Sequence, residues 1–326
     1  MIRTEISRLF ISRKDIRHIC CTLLAAAPLC AMAQSGDTAY EFLSIPISAH
    51  SAALGGQNIS VIDDDLTLTF NNPALLSNVS DKTLNLDITS YISSTKKLSV
   101  AFSRTINDRA SWYAGGTVLN YGSMTETDSN GETLGEFSAK DISLQGGFAY
   151  MLSDYWSGGV SVKVLMSNYA EYSSTAIGAD LGLNYCDEEN GFSFSIAGRN
   201  LGGQVDPLYE TNESLPFDLA AGFSKSLSNA PIRLSFTFDD LTHWDGMPLI
   251  RHMSIGADIL PTRYSWIALG YNARRAHEMK VADGSSHWAG FNVGAGLSIK
   301  RLKVGVAWGK YHISSSSLIM NVSLTL

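Results

Sequence analysis

From Thr83 to the C-terminus, apolar residues alternate with polar or small ones in segments of roughly ten residues, and this period-two pattern constrains the fold more than any other feature. The last segment shows it most plainly. Leu318, Met320, Val322, Leu324 and Leu326 share one face, while Asn321, Ser323 and Thr325 take the other. The same division sets Phe291, Val293, Ala295, Leu297 and Ile299 against Asn292, Gly294, Gly296 and Ser298, and it sets Ile177, Leu181, Leu183 and Tyr185 against Gly178, Asp180, Gly182 and Asn184. About ten alternating residues is the length with which a tilted strand crosses a bilayer. Although 45% of the residues are hydrophobic, no run approaches the roughly 18 apolar residues of a membrane-spanning helix, which excludes a helical membrane protein.

The pattern predicts fourteen strands, near residues 83–93, 96–106, 111–121, 140–152, 155–169, 174–186, 190–202, 216–227, 231–240, 250–259, 262–272, 286–299, 302–312 and 317–326. The connections between them divide by parity. Tight turns at Asn107–Ala110, Ser153–Asp154, Asp187–Glu189, Ser228–Ala230, around Pro261 and at Lys300–Arg301 belong on the periplasmic end of an outer-membrane barrel. Every long connection (Gly122–Ala139, Gly203–Leu215, Leu241–Leu249 and Ala273–Ser285) has the other parity, together with short ones near Ser94, Glu171 and Ser315, so the outer rim is uneven. Trp112, Tyr113, Tyr155, Trp156, Trp288 and Tyr311 fall near strand ends, where amphipathic rings suit a membrane interface. A soluble two-sheet sandwich would bury such rings mid-strand and would seldom need fourteen strands with one-sided long loops. The expected fold is all-β, a transmembrane antiparallel barrel over residues 83–326. Closure pairs every backbone group away from water and is expected to leave no free sheet edge.

Residues 1–33 have the pattern of a secretory signal, namely Arg3, Arg8, Arg13, Lys14 and Arg17, an apolar stretch from Ile19 to Leu29, and Ala31-Met32-Ala33 before a cut at Gln34. Cys20, Cys21 and Cys30 lie inside it and lack the small preceding residue of a lipid-attachment site. Only Cys186 would remain, too few for a disulfide or a cysteine metal site. Removal of the five basic and two acidic side chains of the signal takes the formal charge from −7 to −10, which does not suit a nucleic-acid partner. Residues 34–82 break the strand pattern but carry Phe42, Leu43, Ile45 and Leu54, more apolar matter than a flexible tail needs. Fourteen strands with many small inward residues leave interior space that such a segment would fill as a plug.

Phe42-Leu43-x-Ile45-Pro46-x-Ser48-Ala49, then Ala53-Leu54-Gly55-Gly56-x-Asn58-Ile59-Ser60, then Asn72-Pro73-Ala74-Leu75-Leu76 resemble the plug of the PorV/PorQ family of outer-membrane proteins, itself related to fatty-acid-transporter (FadL-like) barrels. Thr127-Asp128-x-x-Gly131, Gly135-x-Phe137-Ser138-Ala139-x-Asp141, Arg199-Asn200-Leu201-Gly202-x-Gln204 and Leu215-Pro216-Phe217-Asp218 extend the resemblance, on the PorQ side of that family, from about residue 41 to beyond 240. The resemblance implies a non-enzymatic component of the type IX protein secretion system of Bacteroidetes. Such a barrel holds a surface-exposed, PorZ-like partner in the attachment complex that anchors cargo to lipopolysaccharide. The outer loops become the candidate docking surface, with Thr127, Asp128, Gly131, Gln204, Tyr209, His243 and Trp244 as candidate contacts. A FadL-like barrel passing a hydrophobic small molecule is the competing reading, and it requires an apolar pocket near the plug and a lateral opening.

Chemistry is sparse. His243-Trp244-Asp245 lacks a recognisable nucleophile, and His277 and His287 are isolated, so no catalytic, cofactor or metal site is expected. Asp63-Asp64-Asp65 lacks the glycine and closing glutamate of a calcium loop and reads as a solvated turn. Arg199 is expected to face the lumen and pair with plug carboxylates, because an unpaired charge there is expensive.

Overall fold

Side-chain chemistry here is inside out. Leu98, Val162, Leu269 and Met320 lie on the outer surface, whereas Asp87, Lys163, Asp180 and Asp258 are buried to within 4% of full enclosure. Only a surface facing lipid accounts for both observations. The computed structural model describes residues 39–92, 94–128, 130–207, 212–242, 248–279, 288–311 and 315–326. The expected signal, Tyr209, His287 and the His243-Trp244-Asp245 loop lie outside the described residues. Among those that are described, no helix is long and apolar enough to cross a membrane.

The strands are β1 (Thr83–Ser90), β2 (Lys96–Asn107), β3 (Ala110–Thr127), β4 (Thr133–Met151), β5 (Trp156–Tyr169), β6 (Tyr172–Asp187), β7 (Phe192–Asp206), β8 (Asp218–Ser226), β9 (Ile232–Phe238), β10 (Met253–Thr262), β11 (Ser265–Asn272), β12 (Phe291–Ile299), β13 (Leu302–Gly309) and β14 (Ser317–Thr325). Each pairs antiparallel with its sequence neighbours. β1 pairs with β14 from Thr83↔Thr325 to Ser90↔Leu318, which closes the barrel. The tight turns all share one end, as the parity of the connections predicts.

Three expectations need correction. The connection Gly122–Ala139 is mostly strand, because β3 and β4 run on to Thr127 and from Thr133 and pair with each other there. Beyond Asn120 and Ala139 they have lost their other neighbours, so this closed barrel does possess free sheet edges. Tyr113 and Tyr311 are not interfacial. Tyr113 is 1% exposed and packs edge-on against Phe70 inside the barrel, and Tyr311 is buried beneath the Arg275 guanidinium at 3.9 Å. Tyr113 follows the outward Trp112 by one residue and so points inward, and Tyr311 lies beyond the end of β13, so proximity to a strand end does not fix a ring's direction.

Residues 39–82 fill the lumen with short elements, three of them started by a side-chain cap. Helix α1 (Ala49–Ala53) begins at Ser48, whose Oγ accepts the Ser51 N–H at 3.1 Å, and ends at Gly55 and Gly56, whose φ values of 111° and 132° few other residues tolerate. Asp65 caps a 3-10 helix over Leu66–Phe70, and Asn72 caps another over Pro73–Asn78, with Pro73 in the first turn where its missing N–H costs nothing. The wall yields space to these elements through glycine. Gly159 lies against the Pro73–Ala74 backbone, Gly182 against the Asn72 side chain, and Gly270 against the Leu54–Gly55 backbone, and a Cβ at any of them would collide with the plug.

A side chain at one of these contacts therefore displaces the plug. Gly159→Val is expected to destabilise the plugged state by about 1–3 kcal/mol through overpacking. Limited proteolysis of residues 39–82 should accelerate in this variant. Gly203→Val, at a position with nothing within 4 Å, should leave the rate unchanged.

Candidate functional site

Two polar clusters tie the plug to the wall. The lower one centres on His50, which α1 presents 1% exposed to the barrel. Its Nδ1 lies 2.9 Å from Asp63 of the plug and its Nε2 lies 2.8 Å from Asp258 of β10, and the ring stacks on Trp266 of β11 at 4.0 Å. Arg233 of β9 completes the group by donating to Asp258 at 2.8 Å and to the Ile62 carbonyl at 2.9 Å. Burial pushes the His50 pKa down, but the carboxylates on either side outweigh it and hold the ring at about 9. Burial pushes Asp63 up, and its hydrogen bond and attraction to His50 and Arg233 outweigh that and bring it to about 2. Asp64 pairs with Lys303 of β13, and Asp65 is buried as a helix cap that accepts from the Thr67 N–H and Oγ1. The triple aspartate is thus engaged residue by residue, Asp63 by His50, Asp64 by Lys303 and Asp65 by Thr67, and is not a free solvated turn. Every second residue of a strand points inward, so the wall supplies cations such as Arg233 and Lys303 to the lumen.

The upper cluster lies on the extracellular side of the plug. Lys97 of β2 donates to the Ile45 carbonyl at 2.5 Å. Lys163 of β5 pairs with Asp180 of β6 at 2.7 Å and donates to Asn200 Oδ1 at 2.7 Å. In β7 the register passes from Gly198↔Leu181 to Leu201↔Ala179, so Arg199 and Asn200 form a bulge opposite Asp180. Asn200 takes φ 59° there, and its N–H is accepted by Asp180 at 2.8 Å. Arg199 faces the lumen as expected, but it pairs with Asp218 of β8 and not with the plug, whose Asp63, Asp64 and Asp65 are engaged by His50, Lys303 and Thr67. Asn200 Nδ2 donates to the Pro216 carbonyl at 2.8 Å, so the sequence blocks around Arg199 and Leu215 meet in space. Leu215 turns into the barrel and joins Tyr40, Phe42, Leu119 and Leu165 in an apolar lid over the plug. That end of the loop is therefore not offered to a partner, while Gln204 Oε1 accepts the Glu213 N–H at 2.7 Å and braces the exposed part.

The motif residues of the plug are structural. Asn58 Oδ1 accepts the Ser60 and Val61 N–H groups, Asn72 Oδ1 accepts that of Ala74, and Leu54 and Ala74 are enclosed. Thr127, Asp128 and Gly131 form the tip of the β3–β4 hairpin, where Asp128 Oδ1 accepts the Glu132 N–H at 2.8 Å. His277 sits in a short helix α2 (Ala273–Glu278) between β11 and β12. No group of three or more His, Cys, Asp or Glu among the described residues is placed to hold a metal. Sequence reading missed His50, Lys97, Lys163, Arg233 and Asp258 as anchors. Their signal was a charge at an inward position of an alternating strand, or a histidine inside an apolar plug segment.

Cavities remain among the described residues. One of about 320 Å³ opens at the periplasmic end between Asp63, Asp64, Arg233, Trp266 and Lys303, and one of about 60 Å³ lies between Phe42, Ile45 and Phe70 of the plug and Lys97, Lys163 and Arg199 of the wall.

Both clusters generate predictions. A histidine whose folded pKa is raised stabilises the folded state fully below about 6.5, and this contribution disappears as pH rises through about 9. Asp63, with its pKa lowered, contributes above about 3.8 and loses its contribution as pH falls through about 2. Amide exchange across Ala49–Ala53 should therefore be slow at pH 4–6.5 after correction for intrinsic rates and faster above pH 9, and His50→Gln should flatten that profile. Lys163→Met leaves Asp180 enclosed without its cation and is expected to cost about 3–5 kcal/mol, read as a lower temperature for loss of the compact gel form.

No protein-family model and no curated protein matches the chain. Among solved structures, the toluene transporter TodX of Pseudomonas putida superposes with a TM-score of 0.53 at 14% identity, covering 86% of this chain and 96% of that one. A FadL homologue of Pseudomonas aeruginosa gives 0.53 at 11% identity over 85% and 97%. The CymD monoaromatic hydrocarbon channel gives 0.56 at 12% identity over 87% and 98%. These neighbours are channels and not enzymes, and at such identities the likeness is one of fold. The chain is an integral outer-membrane β-barrel with the closed fourteen-stranded architecture of FadL-like hydrocarbon channels.

Proposed function

We propose that the protein is a sealed outer-membrane scaffold whose outer rim holds a surface-exposed, PorZ-like partner in a type IX attachment complex. The observation that supports this reading is the filled lumen. Between plug and wall, beside Lys97, Lys163 and Arg199, the described residues enclose a cavity of about 60 Å³ on the extracellular side. Small-molecule pockets begin at roughly 300 Å³ and are lined mainly by apolar groups. The larger periplasmic cavity meets that size, and its lining is mixed rather than mainly apolar, with Asp63, Asp64, Arg233 and Lys303 set among Leu260, Trp266, Leu297 and Val304. The identity of the complex rests on the residue blocks that resemble the PorV/PorQ family.

A second reading, passage of a hydrophobic small molecule, is favoured over the scaffold by the fold likeness to TodX, CymD and the FadL homologue, none of which concerns type IX secretion. It requires the plug to move, since all neighbouring strands of the wall are paired.

Purification from detergent-solubilised membranes separates the two. The scaffold predicts co-purification of a large surface protein in stoichiometric amount and no bound lipid. Recovery of the barrel alone with a hydrophobic ligand would favour the channel.

A further inference from the structure

Two strands outrun their neighbours. β2 pairs with β3 no further than Lys96↔Asn120, because the preceding chain turns back across Tyr91–Thr95, and β5 pairs with β4 no further than Ala139↔Tyr169, because the chain turns at Ala170–Glu171. β3 and β4 go on, paired with each other from Ser123↔Ser138 to Thr127↔Thr133. At roughly 3.4 Å per residue, this two-stranded ribbon extends ~20 Å beyond the rim. The outward residues change from Val118 and Ile142 to Asn120 and Lys140 at its base, which marks the end of the lipid-facing band. A bulge with Gly122 at φ 87° lies at the same level, where the ribbon leaves the wall.

Both long edges of the ribbon therefore present backbone N–H and C=O groups to water, and an edge of that kind is a template for a strand from another chain. Its charge selects which strand. Glu126, Asp128, Glu132 and Glu136 are acidic, and no Lys, Arg or His occurs from Tyr121 to Ala139. Two such ribbons laid side by side would place like charges opposite one another, which disfavours a second copy as the occupant. An anionic glycolipid surface is disfavoured for the same reason. Leu134, 65% exposed, offers an apolar contact within the acidic field.

We propose that the β3 edge of the β3–β4 ribbon is the docking site for an extended, lysine- or arginine-bearing segment of the surface partner, which adds there as a further strand. This rests on the scaffold reading and gives it a place and a chemistry. Backbone hydrogen bonds along the edge supply the attraction common to any strand, and the four carboxylates supply the choice.

The edge can be blocked without disturbing the ribbon. Ser138 gives its carbonyl to the Ala170 N–H on the β5 side, at 3.3 Å, so the opposite residues Ser123 and Thr125 turn their backbone groups away from β4 by antiparallel alternation. Thr125→Pro therefore removes an edge donor and leaves the β3–β4 ladder and every charge in place. The full chain in lipid nanodiscs is tested against three short synthetic peptides: alternating lysine and threonine, alternating glutamate and threonine, and alternating lysine and proline. The lysine–threonine peptide should bind roughly tenfold more tightly than the lysine–proline peptide of equal charge, Thr125→Pro should remove that advantage, and the glutamate peptide should not bind. Replacing the four carboxylates with lysine should invert the charge preference. Equal binding of both lysine peptides, indifference to Thr125→Pro, or ribbon-to-ribbon cross-linking between copies would overturn the proposal. Co-purification of the surface partner equally with wild type and Thr125→Pro would overturn the ribbon while sparing the scaffold. Absence of any partner with either protein would overturn the scaffold, and the peptides would still decide the ribbon.

Discussion

The hydrocarbon core of a bilayer offers no hydrogen-bond partner to a peptide group, and the rest of this structure follows from that constraint. A sheet meets it only by closing, as β1 does on β14. Closure then sends every second residue inward, into a space too large for small side chains to fill. The plug and the inward glycines are two halves of one solution. Gly159, Gly182 and Gly270 give up side chains so that the backbone near Pro73, Asn72 and Leu54 can lie directly against the wall. Much of the apolar surface that a soluble protein would bury in its core is here spent on lipid, so the interior must hold together with less of it.

Apolar packing of Leu54, Val61, Leu68 and Leu75 against Ala268, Ala307 and Ile319 supplies part of that cohesion, and electrostatic ties supply the rest. Buried ion pairs contribute little net stability compared with apolar packing, yet losing one partner is severe, which makes them good locks. Asp258–His50–Asp63 with Arg233 fixes the plug at the periplasmic side, and Lys97 with the Ile45 carbonyl fixes it at the extracellular side. The bulge at Arg199–Asn200, seated on Asp180, brings β7 to the residues of the lid around Leu215. A channel of this fold would need these contacts to open together. A sealed barrel needs them to stay shut.

Alternation made the strands legible, because lipid on one side and a filled lumen on the other impose opposite chemistry on successive residues. The rule failed where that contrast ends. Tyr121–Thr127 and Thr133–Ala139 have water on both faces, carry polar residues at both parities, and so read as a loop although they are strand. Short connections near Ser94 and Glu171 were visible, and they are what leaves the ribbon edges free. Plug anchors were hidden for a different reason. His50 and Asp258 are 208 residues apart in sequence, and only closure of the barrel around the plug brings them to 2.8 Å. Arg199 was legible as an inward charge but not in its choice of partner, since Asp218 and the plug carboxylates compete on equal terms until the register is known.

The central claim is that residues 39–82 seal the barrel under resting conditions. Ion conductance of the purified protein in a planar lipid bilayer tests it most directly. The account predicts insertion without steady current, and a stable ohmic pore once residues 39–82 are deleted. A stable pore in the intact protein, insensitive to that deletion, would contradict it.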